Sequence, residues 1–552
     1  MDFIVLLIIV AVLAFVFFIG YTNEKRTRKD LLAKIESGFG SIRERKYSAD
    51  ELKAIKGFHR SCKTEYEIDD ITWNDLDMWS VYKRVNFCYS SSGDEYLYHL
   101  LKSPYSSDYD FSSFEEKITG LGKDMKSRAR LCLMLHDMGR SGKYSVSDYL
   151  SSVENAENDS IVPDIVKLLM YIPVIVFCFI NALWGVGALI VLMIVEVSTY
   201  FKKKRSVEQY ITCIEYIYGI LVNSEQILSI DIETLKEEKE KIGSYIHKFN
   251  KFRRFSSLLV GKYGSGPFGV LLDYIKMLTH VDLIKCNTML NEVKLHKNDI
   301  IDLITLIGYI DVCLSVGEFR ASLATWSEPS LSNSHSEIKL VNGYHPLLSN
   351  PVANSITTSR GIVLTGSNAS GKSTFLKMVA VNVLLSQSLH TACAESYEAP
   401  FYKLVSSMNL KDSIISGDSY YMAEIKAIKR IIDEDGAVLG FVDEVLRGTN
   451  TNERIASAAS ILHELCKENK TVFAATHDME LAYLMQDEYD NYHFEEKLEN
   501  GDVVFPYTLM KGKSNGRNAI RLLGYLGIDN HITDNAEKMV QNYEEKGSWC
   551  LL

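Results

Sequence analysis

The segment from Gly366 to Thr374 has the residue types and spacing of a loop that binds phosphate groups. Its members are Gly366, Ser367, Asn368, Ala369, Ser370, Gly371, Lys372, Ser373 and Thr374. The glycines allow the backbone to curl so that its N–H groups face an anion, and a following helix adds its positive N-terminus. We expect Lys372 to reach the β and γ phosphates of ATP and Ser373 to bind Mg²⁺. The segment therefore predicts an ATP-binding loop.

Two acidic residues and a histidine follow later apolar runs and would complete a site for ATP hydrolysis. The run 437–442 ends in Asp443 and Glu444, about 70 residues after the phosphate loop. We expect Asp443 to hold Mg²⁺, usually through water, and Glu444 to polarise the attacking water as general base. The run 471–475 leads to His477, which can sense the γ-phosphate from a neighbouring strand end. A plain strand end and a surface histidine are the simpler alternatives.

These residues can meet in one site if they follow parallel strands whose carboxyl ends lie at the same edge of a sheet. Residues 362–364 have the pattern of a short buried strand directly before the loop, and a helix pattern follows from Phe375. From about residue 336 onward, short apolar strands alternate with helices, which is the βαβ rhythm. Residues 206–325 instead read as long amphipathic helices. We therefore predict a multi-domain protein of α plus α/β class.

Several fragments follow one another in an order that resembles the MutS family of DNA mismatch repair ATPases, which are relatives of the ABC ATPases. They are GYHP at 343–346, NPVAN at 350–354, TGSNASGKST at 365–374, SGDSYYMAE at 416–424, DEVLRGTNT at 443–451 and ATH at 475–477. The resemblance covers roughly residues 338–545. The loop departs from the family pattern at Ser367, Ala369 and Ser370, which still allows it to fold around phosphate.

The resemblance implies a dimer of ABC type, in which the partner's signature segment closes over each nucleotide. In this chain that segment contains Ser416, Gly417 and Ser419, and Glu424 would take part in the same communication between sites. The resemblance further implies ATP and Mg²⁺ as ligands and contact with DNA, and we expect the dimer to be a homodimer, with a heterodimer as the alternative. The family's mismatch-reading domain has no counterpart in the sequence, where an apolar segment stands at the N-terminus.

The bulk composition limits the classes of partner. The chain has 552 residues, of which 47% are hydrophobic and 24% charged, so several globular units are expected. A net charge of -11 excludes attraction of the whole chain to nucleic acid. The best local candidate, KFNKFRRF at 248–255, suits nucleic acid, an anionic membrane surface, or a helix with one buried face. The ten scattered cysteines predict reduced thiols.

Two apolar stretches predict attachment to a membrane. Residues 3–20 contain no charge and are long enough for a spanning helix. Basic residues follow at Lys25, Arg26, Arg28, Lys29 and Lys34, which places the bulk of the chain in the cytoplasm. Residues 168–201 form a second stretch, for which we predict a membrane hairpin turning near 181–185. The alternative is a buried helical pair, where Glu196 would sit better than in lipid.

The predicted organisation has five segments. They are a transmembrane anchor at 1–22, a cytoplasmic helical region similar to the MutS core at 23–160, the apolar hairpin at 161–205, a lever region of long helices at 206–335, and the ATPase domain with a helical dimerisation element at 336–552. Two functions stay open at this point. One is a membrane-held ATPase that engages DNA, and the other is an ATP-driven switch that acts on a membrane or protein partner without mismatch recognition.

Overall fold

The computed structural model divides the chain into two compact units. The helical unit comprises Met1–Lys63, Val85–His99 and Phe111–Ser322, and the sheet unit comprises Thr64–Arg84, Leu100–Asp110 and Leu323–Leu552. The structure describes residues 2–43, 45–154, 162–250, 252, 274, 277–367, 370–408, 420–446, 449–468, 470–499, 502–513, 520, 528–547 and 549.

Helices account for nearly all regular structure before Ser322. They are α1 (Asp2–Ser37), α2 (Ala49–Ile55), α3 (Gly57–Ser61), α4 (Asp70–Asp75), α5 (Met78–Val85), α6 (Ser91–Lys102), α7 (Ser112–Lys123), α8 (Met125–Met138), α9 (Val146–Glu154), α10 (Val162–Ile180), α11 (Ala182–Leu228), a 3₁₀ turn (Glu233–Leu235), α12 (Lys236–Lys248), α13 (Val281–Leu295) and α14 (Lys297–Ala321). Helix α1 is continuous through the predicted anchor, whose insertion in a membrane stays a prediction.

Helix α14 forms the centre of the helical unit. Its residues Ile307, Ile310 and Phe319 are completely buried. Asp311 on the same helix accepts hydrogen bonds from Ser90 Oγ at 2.6 Å and Ser90 N at 2.8 Å. Burial raises the pKa of Asp311 to about 6. Because α14 is long and apolar enough to cross a membrane but lies mostly inside the protein, its hydropathy reflects a core position.

Helices α10 and α11 form a hairpin that turns at Asn181. The backbone of Asn181 is extended, with φ at −144° and ψ at 100°, and its side chain accepts a hydrogen bond from Trp184 N at 3.3 Å. The helices approach closely next to the turn, since a Cβ on Gly185 would lie 2.4 Å from Cys178 Cα. Ala182–Arg205 is the other described segment long and apolar enough to cross a membrane, and it is largely exposed. Membrane crossing by this hairpin stays a prediction.

The sheet unit contains a six-stranded and a four-stranded sheet. The strands are β1 (Ser330–Leu331), β2 (Ile338–Gly343), β3 (Asn354–Thr358), β4 (Ile362–Thr365), β5 (Ser396–Ala399), β6 (Lys403–Ser407), β7 (Val438–Asp443), β8 (Thr471–Thr476), β9 (Asp490–His493), β10 (Lys497–Glu499), β11 (Asp502–Val504) and β12 (Met510–Lys511). The larger sheet has the order β12-β9-β4-β8-β7-β6, and the smaller one β1-β5-β2-β3. Strands β10 and β11 pair as a separate antiparallel ribbon.

Five strands of the six-stranded sheet run parallel, so their carboxyl ends meet at one edge. The described helices of this part are α15 (Lys372–Leu389), α16 (Tyr420–Asp433), α17 (Thr451–Lys467), α18 (Met479–Leu484) and α19 (Asn530–Lys546). The mixed α plus α/β class predicted from the sequence is confirmed.

Helix α4 comes from early in the chain but packs on the edge strand β6. Asp75 Oδ2 accepts hydrogen bonds from Ser406 Oγ at 2.7 Å and Met408 N at 2.9 Å. Thr72 Oγ1 accepts another from Ser406 N at 3.0 Å. The sequence predicts this helix as part of the region 23–160, and the structure assigns residues 64–84 to the sheet unit.

Candidate nucleotide-binding site

The loop after β4 turns sharply and leads straight into helix α15. Gly366 has a φ of +146°, and a Cβ there would lie 2.9 Å from the carbonyl oxygen of Phe494. Gly371 caps α15 with a φ of +106°, in the left-handed region that side chains other than glycine adopt only with strain. The two glycines therefore allow the loop to curl in front of the helix N-terminus, where backbone N–H groups favour an anion.

Lys372 points back into this loop. Its side chain is buried, and Nζ donates hydrogen bonds to the carbonyl oxygens of Gly366 at 2.7 Å and Ser367 at 2.9 Å. Nζ also lies 3.5 Å from His477 Nε2. The ammonium group is thus held between the loop and the end of β8, where it can meet the charge of a phosphate chain.

Ser373, in the first turn of α15, contacts the end of strand β7. Its hydroxyl donates a hydrogen bond to Asp443 Oδ2. A hydroxyl and a carboxylate are hard oxygen ligands of the type that Mg²⁺ prefers, and this ion is usually completed by phosphate oxygens and water. Within the described residues, no group of three His, Cys, Asp or Glu side chains could hold a metal ion alone. The pair therefore fits a magnesium ion that arrives with its nucleotide.

Glu444 and His477 face each other at adjacent strand ends. Strand β8 lies between β4 and β7, and the register pairs Thr365 with Thr476 and Asp443 with Ala475. His477 Nε2 consequently lies 2.6 Å from Glu444 Oε1. Glu444 adopts a φ of +59°, an uncommon conformation for a residue with a side chain, which is found preferentially at functional sites.

An ion pair between Arg454 and Asp478 fixes the segment that follows His477. Arg454 on α17 donates from Nε to Asp478 Oδ2 at 2.9 Å and from Nη2 to Asp478 Oδ1 at 2.6 Å. Helix α17 begins at Asn450, whose side chain accepts a hydrogen bond from Asn452 N at 3.1 Å. The pair of Arg454 and Asp478 thus holds α17 against the segment after β8, while Asn450 caps the start of that helix.

Tyr507, an aromatic residue that is not among the predicted site residues, borders the loop. A Cβ on Gly371 would lie 3.0 Å from the ring of Tyr507, and this ring is 45% exposed. Asn354 holds the segment on both sides, donating to Tyr507 O at 3.0 Å and accepting from Leu509 N at 2.7 Å. Tyr507 itself has a φ of +53°. The sequence around Tyr507 shows no motif, so only the packing of its ring beside the loop identifies this residue.

Comparison with known proteins identifies this part of the chain. The sequence model of the family described as MutS domain V matches residues 362–544. Residues 362–544 therefore match the MutS family. The match includes the loop after β4, both acidic residues after β7 and His477.

Curated relatives from bacteria and yeasts agree with this assignment. The DNA mismatch repair protein MutS of Thermotoga petrophila is 30% identical over 263 residues, which cover 45% of this chain and 32% of the relative. The DNA mismatch repair protein MSH3 of Debaryomyces hansenii is 28% identical over 256 residues, covering 42% of this chain and 25% of the relative. The chain thus spans about a third or less of the length of these MutS relatives.

The remaining residues predicted for a MutS site fall into two groups. Ser367 donates to Glu496 Oε2 at 2.8 Å, Ser370 is buried in the loop, and Thr374 is exposed beside Ser373. Asn368, Ala369, Ser416, Gly417 and Ser419 lie outside the described residues. Glu424 is buried on α16, and its role between subunits stays a prediction.

The basic and aromatic segment proposed for DNA contact has its aromatic side chains inside the helical unit. Phe249 and Phe252 are fully buried, and the Phe249 ring packs edge-on against His296 with centroids 5.2 Å apart. Lys248 Nζ binds Asp299 Oδ1 at 2.6 Å. Residues 251 and 253–255 lie outside the described residues. The described part favours a helix with one buried face over a surface on which bases stack.

Proposed function

We propose that this chain binds ATP with Mg²⁺ and hydrolyses it. One observation carries the proposal: three neighbouring parallel strands bring the loop lysine Lys372, the pair Ser373 and Asp443, and the pair Glu444 and His477 together at one sheet edge. The outermost of these groups, Lys372 and His477, are 105 residues apart in the chain. Their convergence matches the demands of phosphoryl transfer, which needs positioning and charge more than covalent chemistry.

Each group has a part in the proposed reaction. The N-terminus of α15 and the ammonium of Lys372 neutralise the phosphate oxygens as negative charge shifts toward the leaving β-phosphate oxygen. Ser373 and Asp443 would hold Mg²⁺, which supplies further charge neutralisation between the β and γ phosphates. Glu444 accepts the proton of the water that attacks the γ-phosphorus, and His477 fixes the direction of that carboxylate.

The proposal extends to assembly, by family resemblance, and to membrane attachment, on the ground of the apolar run 3–20. We propose a homodimer in which Ser416, Gly417 and Ser419 of one subunit face the nucleotide of the other, and in which α1 anchors the chain to a membrane. The relatives named above are DNA mismatch repair proteins, so DNA is the partner proposed for this chain on the same ground.

Exchange of the loop lysine tests the ATPase. Lys372→Ala removes the charge nearest the phosphates, so ATP binding or phosphate release should be lost. Lys377→Ala, on the same helix, is the matched control and should behave as the unmodified chain. Binding is measured with a fluorescent ATP analogue and turnover by phosphate release. Normal hydrolysis by Lys372→Ala would reject this site.

A second candidate function, an ATP-driven switch that acts at the membrane without reading DNA, is favoured by two observations. The hairpin α10–α11 exposes many apolar side chains, and the aromatic side chains of the candidate DNA segment are buried. A titration of the detergent-solubilised chain with homoduplex, mismatched and branched DNA, at several salt concentrations, separates the candidates. Salt-steep binding that responds to ATP supports the DNA-engaging form. An absence of binding at low salt supports the switch.

A further inference from the structure

The hairpin of α10 and α11 projects from the helical unit only over its apolar part. Along α11, Leu183 is 81% exposed and Ile194 is 63% exposed, whereas Glu196 and Tyr200 are buried at 2% and 1%. Glu196 Oε2 lies 3.1 Å from His280 Nε2, so the acidic side chain is covered by the helical unit itself. From Glu196 onward one face of α11 is covered by the helical unit, while Phe201 on another face stays 53% exposed, so the part of α11 that the helical unit leaves uncovered ends at about Val195.

Both arms of the projecting part are shorter than a bilayer is thick. The stretch 182–195 of α11 spans about 21 Å at roughly 1.5 Å per residue. On α10, Lys167 is the nearest charged residue before the turn, and the apolar stretch Leu168–Ile180 spans about 20 Å. The hydrocarbon core of a membrane is about 30 Å thick, so each arm falls short by about 10 Å.

Hydrogen bonds within the hairpin surround the turn at Asn181. Asn181 N donates to Phe177 O at 2.9 Å, and Gly185 N donates to Asn181 O at 2.8 Å. The Asn181 side chain accepts from Trp184 N. The residues around it are among the most exposed apolar side chains of the described chain, with Phe179 at 88%. Because the backbone N–H, the backbone carbonyl and the side-chain oxygen of Asn181 are bonded within the hairpin, the backbone at the turn can enter hydrocarbon, where unsatisfied backbone groups are excluded.

The charges near the base of the hairpin identify the surface that it would enter. Lys202, Lys203, Lys204 and Arg205 follow on α11, about 10–15 Å beyond the end of the free part. Long basic side chains at this height reach back to lipid phosphates. A cluster of this kind beside an inserted helix binds anionic membranes.

We propose that the hairpin α10–α11 enters an anionic bilayer from one side and turns back inside the hydrocarbon without reaching the opposite surface. The insertion deepens the membrane attachment included in the proposed function. It differs from the two complete crossings predicted from the sequence, because the helical unit stops the hairpin at the level of Glu196. Trp184, 11 residues from Val195, would then lie about 17 Å deep, which is about 2 Å past the middle of the bilayer.

Depth-dependent quenching of Trp184 tests the proposal. The full chain is placed in vesicles of phosphatidylcholine and phosphatidylglycerol that carry bromine either near the glycerol or near the ends of the acyl chains. The difference between the unmodified chain and Trp184→Phe isolates the signal of this one tryptophan. We expect the deep bromines to quench it most. Strongest quenching by the shallow bromines, or an absence of quenching, would overturn the insertion depth or the insertion itself.

Labelling of a cysteine at the turn separates partial from complete crossing. Leu183→Cys is compared with the unmodified chain in sealed vesicles, using a maleimide that does not cross membranes, added outside or loaded inside. We expect no added labelling from either side until detergent is present. Added labelling from one side only means a turn at a membrane surface or in water and refutes the proposal. Neither result depends on ATP turnover, so failure here is distinguishable from failure of the ATPase assignment.

Discussion

Replacement of Glu444 by Gln isolates the chemical step from nucleotide binding. The amide has the same length as the carboxylate, so its contact with His477, at 2.6 Å in the native chain, can be kept. Loss of the ionic character of this contact should cost at most about 1 kcal/mol of folding stability, because the histidine side chain is 34% exposed and water screens the pair. The chemical cost is larger, since a positioned base contributes roughly 100- to 10,000-fold.

The expected result is therefore a kcat reduced by at least about 100-fold, which corresponds to about 2.7 kcal/mol of barrier. The Kd for ATP should change little, because phosphate contacts come from Lys372 and the α15 N-terminus. Phosphate release at saturating ATP gives kcat, and size-exclusion chromatography with ATP follows the dimer that slow hydrolysis would accumulate. Glu480→Gln, at an exposed position on α18, is the matched control and should stay within about twofold. A Glu444→Gln variant that turns over at the native rate would refute the assignment of the base.

Three further perturbations probe the sheet unit. Tyr507→Ala should raise the Kd for ATP roughly 10-fold in a fluorescence titration, because we expect the base of ATP to stack on this ring, and such stacking is worth about 1–3 kcal/mol. Tyr507→Phe keeps the ring and should leave the Kd unchanged. Asp75→Ala should lower the free energy of unfolding by about 2–4 kcal/mol, as it leaves the Ser406 and Met408 donors unpaired, whereas Asp435→Ala at the surface should not. Burial lowers the pKa of His345 to about 4, so the unfolded chain binds more protons between pH 4 and 6.5. When the pH falls from 6.5 to 4, the native chain should therefore lose about 2–3 kcal/mol more of its free energy of unfolding than His345→Gln does. Equal losses in urea titrations would contradict the burial argument.

Local signals in the sequence locate the groups at the sheet edge, whose roles in ATP hydrolysis stay a prediction. Lys372 and Ser373 follow their strand directly, and Asp443 and Glu444 end another, so strand and loop patterns locate all four. Their meeting point follows from parallel pairing, in which carboxyl ends share one edge. His477 was found in the same way, although its contact with Glu444 depends on β8 lying between the other two strands.

Contacts between distant segments could not be predicted in this way. Asn354 holds Tyr507 near the loop through the carbonyl oxygen of Tyr507 and the N–H of Leu509, and neither residue shows a pattern that implies the other. The sequence also does not show how much of the hairpin α10–α11 is free of the helical unit. Hydropathy shows that residues 168–201 are apolar, but only the contact of Glu196 with His280, 84 residues further along the chain, shows where the protein covers them.

The placement of α4 on β6 affects how the sheet unit could be produced on its own. A fragment that begins near residue 336, where the strand pattern starts, would lack residues 64–84 and 100–110. It would leave Ser406 and Met408 without their carboxylate acceptor and strip the edge strand of its cover, which invites aggregation through the open edge. Shortened forms for crystallisation or enzymology therefore need both early segments, joined by linkers or supplied as a second polypeptide.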